Sequence, residues 1–441
     1  MDSATIAAVS TPSGTAGVAV IRVSGPQAGS VCRALAGRIP RPRHASLATL
    51  VDPAAGSPLD QALLLWFPAP ASFTGEDVLE FQVHGGRAVV AAVLRSVLSI
   101  EGVRPAEAGE FTRRAFENSR MDLGEVEGLA DLLQAETEAQ RRQAFSLYSG
   151  RLTSEADRLQ QALLPCLAMV EASIDFPEEG DVASDTLVMA RRRLDAVVAE
   201  VRALLADADR GERIRDGVTV VIAGPPNAGK STLINALARR DVAIVSPVAG
   251  TTRDSIEVHL DLGGVPVVVV DTAGLRDSED PVEMAGIGRS RARMEAADLV
   301  LWLSPDGAAG VPAERPPGAP AECWIIQTQA DRGVAADPSA RHRISAMTGE
   351  GMAGLLSALA NFAAARIGGE PVVVVHERHR RIFRDVEAAL DAAAATADWD
   401  SAAELVAEHL REALAALGRS RGRVGVEAML DELFSAFCIG K

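Results

Sequence analysis

The sequence predicts α/β plus all-α architecture: a small N-terminal α/β module, then a helical domain interrupted by a second, inserted α/β domain. Three observations predict it. Short β-rich runs with one clear helix fill residues 1–118. Long amphipathic helical patterns occupy residues 119–214 and return over 369–441. Between them, over 215–368, apolar strands alternate with helices. The ends of a compact domain often lie close together, so one helical domain with an insertion is the economical arrangement.

In the first segment Val18–Val23, Leu63–Phe67 and Val78–Val83 read as strands, and Ala88–Ser99 as a helix entered from the Gly85-Gly86 turn. The helical segments carry apolar residues at three- and four-residue spacing. Examples are Leu129, Leu132 and Leu133; Leu159, Leu163, Leu167, Val170 and Ile174; and later Leu390, Leu405, Leu410, Leu414 and Leu417. Pro177 and Gly180 punctuate the first of them. In the insertion, Val218–Ala223, Val265–Val270, Leu299–Leu303 and Cys323–Thr328 are continuous apolar runs, as parallel strands buried on both faces require. The Gly/Pro-rich stretch Asp306–Pro320 reads as a loop.

Composition bounds the function. With 441 residues, 48% hydrophobic and 24% charged, the chain is a folded protein of several domains. A net charge of −16 offers no general attraction to nucleic acid, so any such contact needs a local basic patch or a partner. Cys32, Cys166, Cys323 and Cys438 are far apart and lack metal-type spacing. The start shows no signal-peptide pattern, and no apolar run reaches about 18 residues. The expectation is a cytoplasmic protein with reduced thiols and no membrane segment.

Gly224-Pro-Pro-Asn-Ala-Gly229-Lys230-Ser231 follows an apolar strand and opens a helix at Thr232, which is the context of a phosphate-binding P-loop. Glycines let backbone N–H groups turn inward around phosphates, and the helix N-terminus adds favourable partial charge. The loop from Asn227 through Ala228, Gly229, Lys230, Ser231 and Thr232 is the expected nucleotide cradle. In it Lys230 reaches the β- and γ-phosphates and Ser231 ligates Mg²⁺. Asp271-Thr-Ala-Gly274 ends the next strand, so Asp271 reaches the magnesium through water and the Gly274 N–H meets the γ-phosphate. Gly250-Thr251-Thr252-Arg-Asp254 lies between, where a switch loop carries a threonine to the metal. Order and context together predict a Ras-like P-loop GTPase domain.

For base recognition such a domain uses Asn-Lys-x-Asp; here the residues are Thr328-Gln329-Ala330-Asp331. The Asp331 carboxylate accepts both guanine N–H groups, and Ser345-Ala346 supplies the second base-side loop. The loss of the bracing Asn and Lys predicts guanine preference with weakened affinity. The glutamine that orients water in many small GTPases is Leu275 here. An arginine finger is worth ~10³–10⁵ in rate, so the role must be filled otherwise. Asn227, with oxygens near Ser246, Val248 and Thr251, offers a monovalent cation site against the β/γ-phosphates. Glu283, in the second switch, is a candidate to position water.

Over its whole length the chain resembles the MnmE (TrmE) family of tRNA-modification GTPases. Beyond the nucleotide motifs, the resemblance rests on Thr11-Pro-Ser-Gly-Thr-Ala-Gly17, Ile21-Arg-Val-Ser-Gly25, Phe73-Thr-Gly-Glu-Asp-Val-Leu-Glu80, Gly109-Glu-Phe-Thr-Arg-Arg-Ala-Phe116 and the terminal Cys438-Ile-Gly-Lys441. It implies an N-terminal folate-binding module that also dimerises. It implies potassium at the positions of Asn227, Ser246, Val248 and Thr251, and Glu283 as the catalytic glutamate. It implies folate contacts at Arg22, Glu80, Arg120 and Lys441, and a functional near-terminal cysteine at Cys438. Arg120 departs from the family's usual lysine, exchanging a point charge for a planar fork. The implied reaction uses an FAD-dependent MnmG-type partner, in a heterotetramer, and a 5,10-methylene- or formyl-tetrahydrofolate. It installs a carboxymethylaminomethyl-type group at C5 of the wobble uridine of tRNA, coupled to GTP hydrolysis. Two other readings stand beside it: a ribosome-assembly GTPase, which lacks its usual basic module here, and a nucleotide-gated scaffold with negligible turnover.

Overall fold

The computed structural model describes residues 4–175, 180–240, 242–244, 257–271, 294–305, 322–333, 335–422, 427–435 and 437–440. The chain divides into two compact units, Met1–Ala130 with Arg421–Lys441, and Asp131–Ser420. The last residues therefore group with the N-terminal part, whereas helical periodicity alone assigned them to the second helical segment.

In the first unit the strands are β1 (Thr5–Val9), β2 (Ala16–Ser24), β3 (Ser46–Val51), β4 (Pro58–Phe67), β5 (Val78–Gly85) and β6 (Val103–Pro105), in sheet order β3-β4-β5-β2-β1-β6. Only β1–β6 is a parallel pair. Alternation sorts the side chains: Ile21, Val23, Leu64, Leu79, Phe81 and Val83 join a core with Val31, Cys32 and Leu35 of helix α1 (Ala28–Ala36) and Val93 and Val97 of α2 (Arg87–Leu98). Arg22, Ser24 and Glu80 fall on the opposite face. Helix α3 (Glu110–Glu117) follows, then α4 (Leu123–Gln134), which runs across the boundary between the units.

The chain end is pinned to this unit. Phe434 lies in the C-terminal helix Glu427–Ser435, and its carbonyl stands so close to Gly109 that a Cβ there would meet it at 2.5 Å. Ile439 bridges Ala108, and a Cβ on Gly440 would meet the Val9 carbonyl at 2.4 Å. Cys438 is exposed between these two fixed points.

The second unit joins a helical bundle to the inserted α/β part. Helices α6 (Arg151–Asp175), α7 (Gly180–Ala206), α11 (Glu377–Ala395) and α12 (Ala403–Gly418) pack in a closed cycle, each against two neighbours. Their apolar stripes meet in one core that includes Leu159, Leu163, Leu194, Phe383, Val406 and Leu410. The expected break between α6 and α7 falls at Pro177, outside the described residues, and α7 opens at Gly180.

After α8 (Ala208–Asp216) the inserted part begins. Its strands are β7 (Val218–Ala223), β8 (Glu257–Asp261), β9 (Pro266–Asp271), β10 (Leu299–Ser304), β11 (Cys323–Gln327) and β12 (His342–Arg343), in order β12-β11-β10-β7-β9-β8. All pairs are parallel except β8–β9. Helix α9 (Lys230–Ala238) follows β7, and α10 (Met352–Ile367) closes the part.

Helix α5 (Glu138–Tyr148) fastens the inserted part to the bundle. Its first turn is held by a capping box: the Thr137 side chain accepts from the Gln140 N–H, and the Gln140 side chain accepts from the Thr137 N–H. The Ala139 N–H, an orphan donor at a helix start, donates to the Gly264 carbonyl in the β8–β9 turn at 2.9 Å. Gln140 Nε2 donates to the Arg215 carbonyl, where the chain enters the inserted part. Gln143, fully buried, makes both bonds a strand neighbour would make to Val372, where the chain leaves it.

Candidate functional site

The inserted sheet reverses direction of build at β7, which lies between β10 and β9. Ligands of open parallel sheets bind beyond the carboxyl ends of the strands at such a switch point. The P-loop stands there. Gly224 (φ 145°) packs where a Cβ would strike the Leu303 carbonyl at 2.6 Å, so no larger residue fits. Gly229 (φ 94°) faces open space, with no atom within 4 Å of where a Cβ would stand, and it caps α9 in a left-handed conformation. Asn227 is also left-handed, at φ 63°.

Lys230 Nζ donates to the Gly224 carbonyl at 2.8 Å and to the Pro225 carbonyl at 3.0 Å. Its ammonium is thus folded over the loop mouth. Ala228 is buried, while Asn227, Ser231 and Thr232 are exposed. Asp271, 2% exposed at the end of β9, pairs in register with Ile222 of β7, beside the strand that launches the P-loop. A hydroxyl at the first turn of α9 and a buried carboxylate on the adjacent strand are hard oxygen donors, the chemistry Mg²⁺ takes.

The base-side residues are knitted to the loop. Thr328, just beyond β11, donates its hydroxyl to the Ala228 carbonyl at 2.8 Å. Gln329 Nε2 donates to the Asn227 carbonyl at 3.1 Å. The Ser345 hydroxyl and the N–H of Asp331 itself hold the Asp331 carboxyl below the usual carboxylate range. Ala330 N–H donates to the Ile344 carbonyl, and Arg343 Nη2 to the Ala330 carbonyl, so the two base-side loops are joined. Ser345 is buried and Ala346 half-buried beside it. Sequence reading marked Thr328 and Gln329 only as departures; their contacts depend on the P-loop lying opposite. Ser246, Val248, Thr251, Thr252, Gly274, Leu275 and Glu283 lie outside the described residues.

The N-terminal unit holds a second constellation. Arg22 and Glu80 are direct cross-strand partners on β2 and β5, with Arg22 Nε donating to Glu80 Oε1 at 2.9 Å. The guanidinium also lies over the Phe73 and Phe111 rings, 5.4 and 5.6 Å from their centroids. The Phe73–Glu80 segment is tied down by its own side chains. Ser24 meets Thr74 and donates to Glu76, Arg114 donates to Glu76 and Glu110, and Arg104 reaches Glu110 through both terminal nitrogens. This chain of ion pairs was missed in the sequence, although Thr74 and Glu76 sit within a motif singled out there. Arg120 is exposed, its stem against Gly75 in the same segment. Lys441 lies outside the described residues. Among the described residues no group of three or more His, Cys, Asp or Glu side chains is placed to hold a metal, and no helix is long and apolar enough to cross a membrane.

Comparison with known proteins covers nearly the whole chain. A family model described as "GTP-binding protein TrmE N-terminus" matches residues 5–120, and the MnmE helical domain model matches residues 123–438. Among curated proteins, the tRNA modification GTPase MnmE of Methylobacterium sp. (strain 4-46) is 53% identical over 99% of this chain and 99% of its own length. The protein of the same name from Azorhizobium caulinodans is 52% identical over 100% and 99%. That of Rhodopseudomonas palustris (strain ATCC BAA-98 / CGA009) is 50% identical over 99% of each chain.

Proposed function

This chain belongs to the MnmE family of tRNA modification GTPases, and from that premise we propose a potassium-dependent GTP hydrolysis coupled to modification of the wobble uridine. The product is a carboxymethylaminomethyl-type group at C5, made with an FAD-dependent MnmG-type partner and a 5,10-methylene- or formyl-tetrahydrofolate. One observation carries the nucleotide half of this reading. Lys230 and Asp331 follow the carboxyl ends of β7 and β11, and Asp271 ends β9, all in one sheet.

The N–H groups from Asn227 to Thr232 and the Lys230 ammonium take the phosphates. Lys230 exchanges its two neutral loop carbonyls for anionic phosphate oxygens, which are the stronger acceptors for an ammonium. Asp331, Ser345 and Ala346 read the guanine. Ser231 and Thr252 would hold Mg²⁺ directly and Asp271 through water; Asn227, Ser246, Val248 and Thr251 would hold K⁺. Together these cations supply positive charge where the phosphates develop negative charge. Glu283 orients the attacking water.

In the N-terminal unit the Arg22–Glu80 pair, with Arg120 and Lys441, is the folate site: a carboxylate and guanidinium set against aromatic rings suits a flat heterocycle with N–H donors. Cys438 stands exposed on a pinned tail and is the candidate reactive thiol of the modification. Val18, Leu47 and Leu63 are exposed apolar residues on the unit's sheet, and Leu47 and Leu63 are direct cross-strand partners. They support a homodimer through this unit. The proposed setting is the cytoplasm.

The test is steady-state GTP hydrolysis at matched ionic strength in KCl and NaCl, with Asn227→Ala alongside. Strong stimulation by potassium, lost in the variant, is the expected result. Equal rates in both salts would remove the potassium site and leave the GTPase standing.

A further inference from the structure

Two successive side chains of the base-side loop hold two successive carbonyls of the P-loop. Thr328 reaches Ala228 and Gln329 reaches Asn227. Thr328 and Ala228 are both buried, at 5% and 0% exposure, so that bond is shielded from water. Gln329 is held in a left-handed conformation, φ 58°, as is Asn227 across from it. A trans peptide points its C=O and its following N–H in opposite directions. Tying the Asn227 carbonyl to Gln329 therefore turns the Ala228 N–H the other way, where it closes on the Pro225 carbonyl at 3.3 Å. Tying the Ala228 carbonyl to Thr328 turns the Gly229 N–H away from the base loop.

From this geometry we propose that Thr328 and Gln329 are positioning residues that lock the Asn227–Gly229 turn, so that phosphate affinity depends on the base-side loop. The inference rests on the nucleotide-site reading above. Asn-Lys in a Ras-like domain braces this loop with an amide and an ammonium; here a hydroxyl and an amide do it, with no charge. The departure from Asn-Lys-x-Asp keeps the brace and changes its chemistry. Because the brace acts on P-loop peptides, its loss weakens nucleotides whatever their base. A pre-aimed N–H group binds without the cost of ordering it, and that advantage is what the variants remove.

The experiment uses the full chain and a fluorescent N-methylanthraniloyl-GDP probe, displaced by GDP or by IDP, which lacks the exocyclic amine read by Asp331. Thr328→Val keeps the shape and deletes the donor, leaving the Ala228 carbonyl buried without it. The expected result is roughly tenfold weaker binding of both GDP and IDP, with their ratio held within about twofold. Thr328→Ser, which restores the hydroxyl, binds within about twofold of the parent chain. Gln329→Leu, at a half-buried position, costs about threefold for both ligands, and it reads the same turn if the Thr328 variant fails to fold. Unchanged affinities, a loss confined to GDP, or failure of the serine to rescue would each overturn the brace. Lys230→Ala runs in parallel: binding as tight as the parent's would instead overturn the nucleotide-site reading beneath it.

Discussion

The P-loop between β7 and α9 presents mostly backbone, whereas the Arg22–Glu80 face of the N-terminal unit presents side chains. At the P-loop, left-handed Gly224, Asn227 and Gly229 shape the chain, and Lys230 supplies the charge, resting on two carbonyls of the loop itself. On the other face, Arg22, Glu80, Glu76, Arg114, Glu110 and Arg104 neutralise one another in ion pairs that link β2, β5, the Phe73–Glu80 segment and α3. The difference teaches where fragility lies. A backbone cradle loses function when one charge is removed but keeps its fold. An ion-pair lattice loses its fold first, because each buried charge depends on its partner.

The largest expected effect is therefore functional. Lys230→Ala should lower the rate of GTP hydrolysis by ~10²–10³, the scale for deleting one donor to a developing negative charge. Phosphate release measures the rate, and thermal melting should stay close to that of the parent. A comparable fall in melting temperature would break the comparison, since Lys230 would then support the loop as well as the ligand.

Next comes Arg114→Met. The Arg114 side chain is 7% exposed and serves both Glu76 and Glu110, so its loss leaves Glu76 with no arginine and Glu110 with Arg104 alone. The expected cost is about 3–5 kcal/mol, read as lost hydrogen-exchange protection in the β1–β2 amides. Acid sharpens the same point. Burial opposes charge on Glu110, but hydrogen bonds from Arg104, the Glu107 N–H and Arg114 outweigh it and pull the Glu110 carboxyl below its ordinary value of 4.5. A carboxyl depressed by folding stabilises the folded state above its unfolded pKa, and that stabilisation is lost as the pH falls through the folded value. Protection of this unit should decline below about pH 4.5, and the Arg114 variant should show less of that decline.

The smallest effect lies at α5. Thr137→Ala removes the capping box at a cost of about 1 kcal/mol, visible as faster exchange in the first turn of that helix. The Ala139–Gly264 bond remains, so the inserted part should stay docked. Loss of protection in β8 and β9 as well would show that the cap holds the interface and not only the helix.

What could be read in advance follows from these building materials. The P-loop, its strand and its helix were legible because glycines, lysine and serine act within eight consecutive residues. The four central strands appeared as apolar runs. Strand β8 did not, because it is an edge with Glu257 and His259 exposed in alternation. Val372–Val375 is the converse: an apolar run that is buried yet forms no strand, with Gln143 supplying the bonds a neighbouring strand would give. The Arg22–Glu80 register needed β2 and β5 to be paired, and the Thr328 and Gln329 braces needed the P-loop opposite them.

The sequence by itself determined the class of chemistry, since phosphate binding is written in local backbone permissions that a single turn of chain can satisfy. Tertiary structure alone decided which charges neutralise which, how the chain end is pinned beside Ala108 and Val9, and how a base loop without Asn-Lys still grips the P-loop. Many of those contacts join residues far apart in the chain: 58 positions separate Arg22 from Glu80, and 102 separate Asn227 from Gln329. No local propensity encodes a separation of that size; only the packed core brings such residues together.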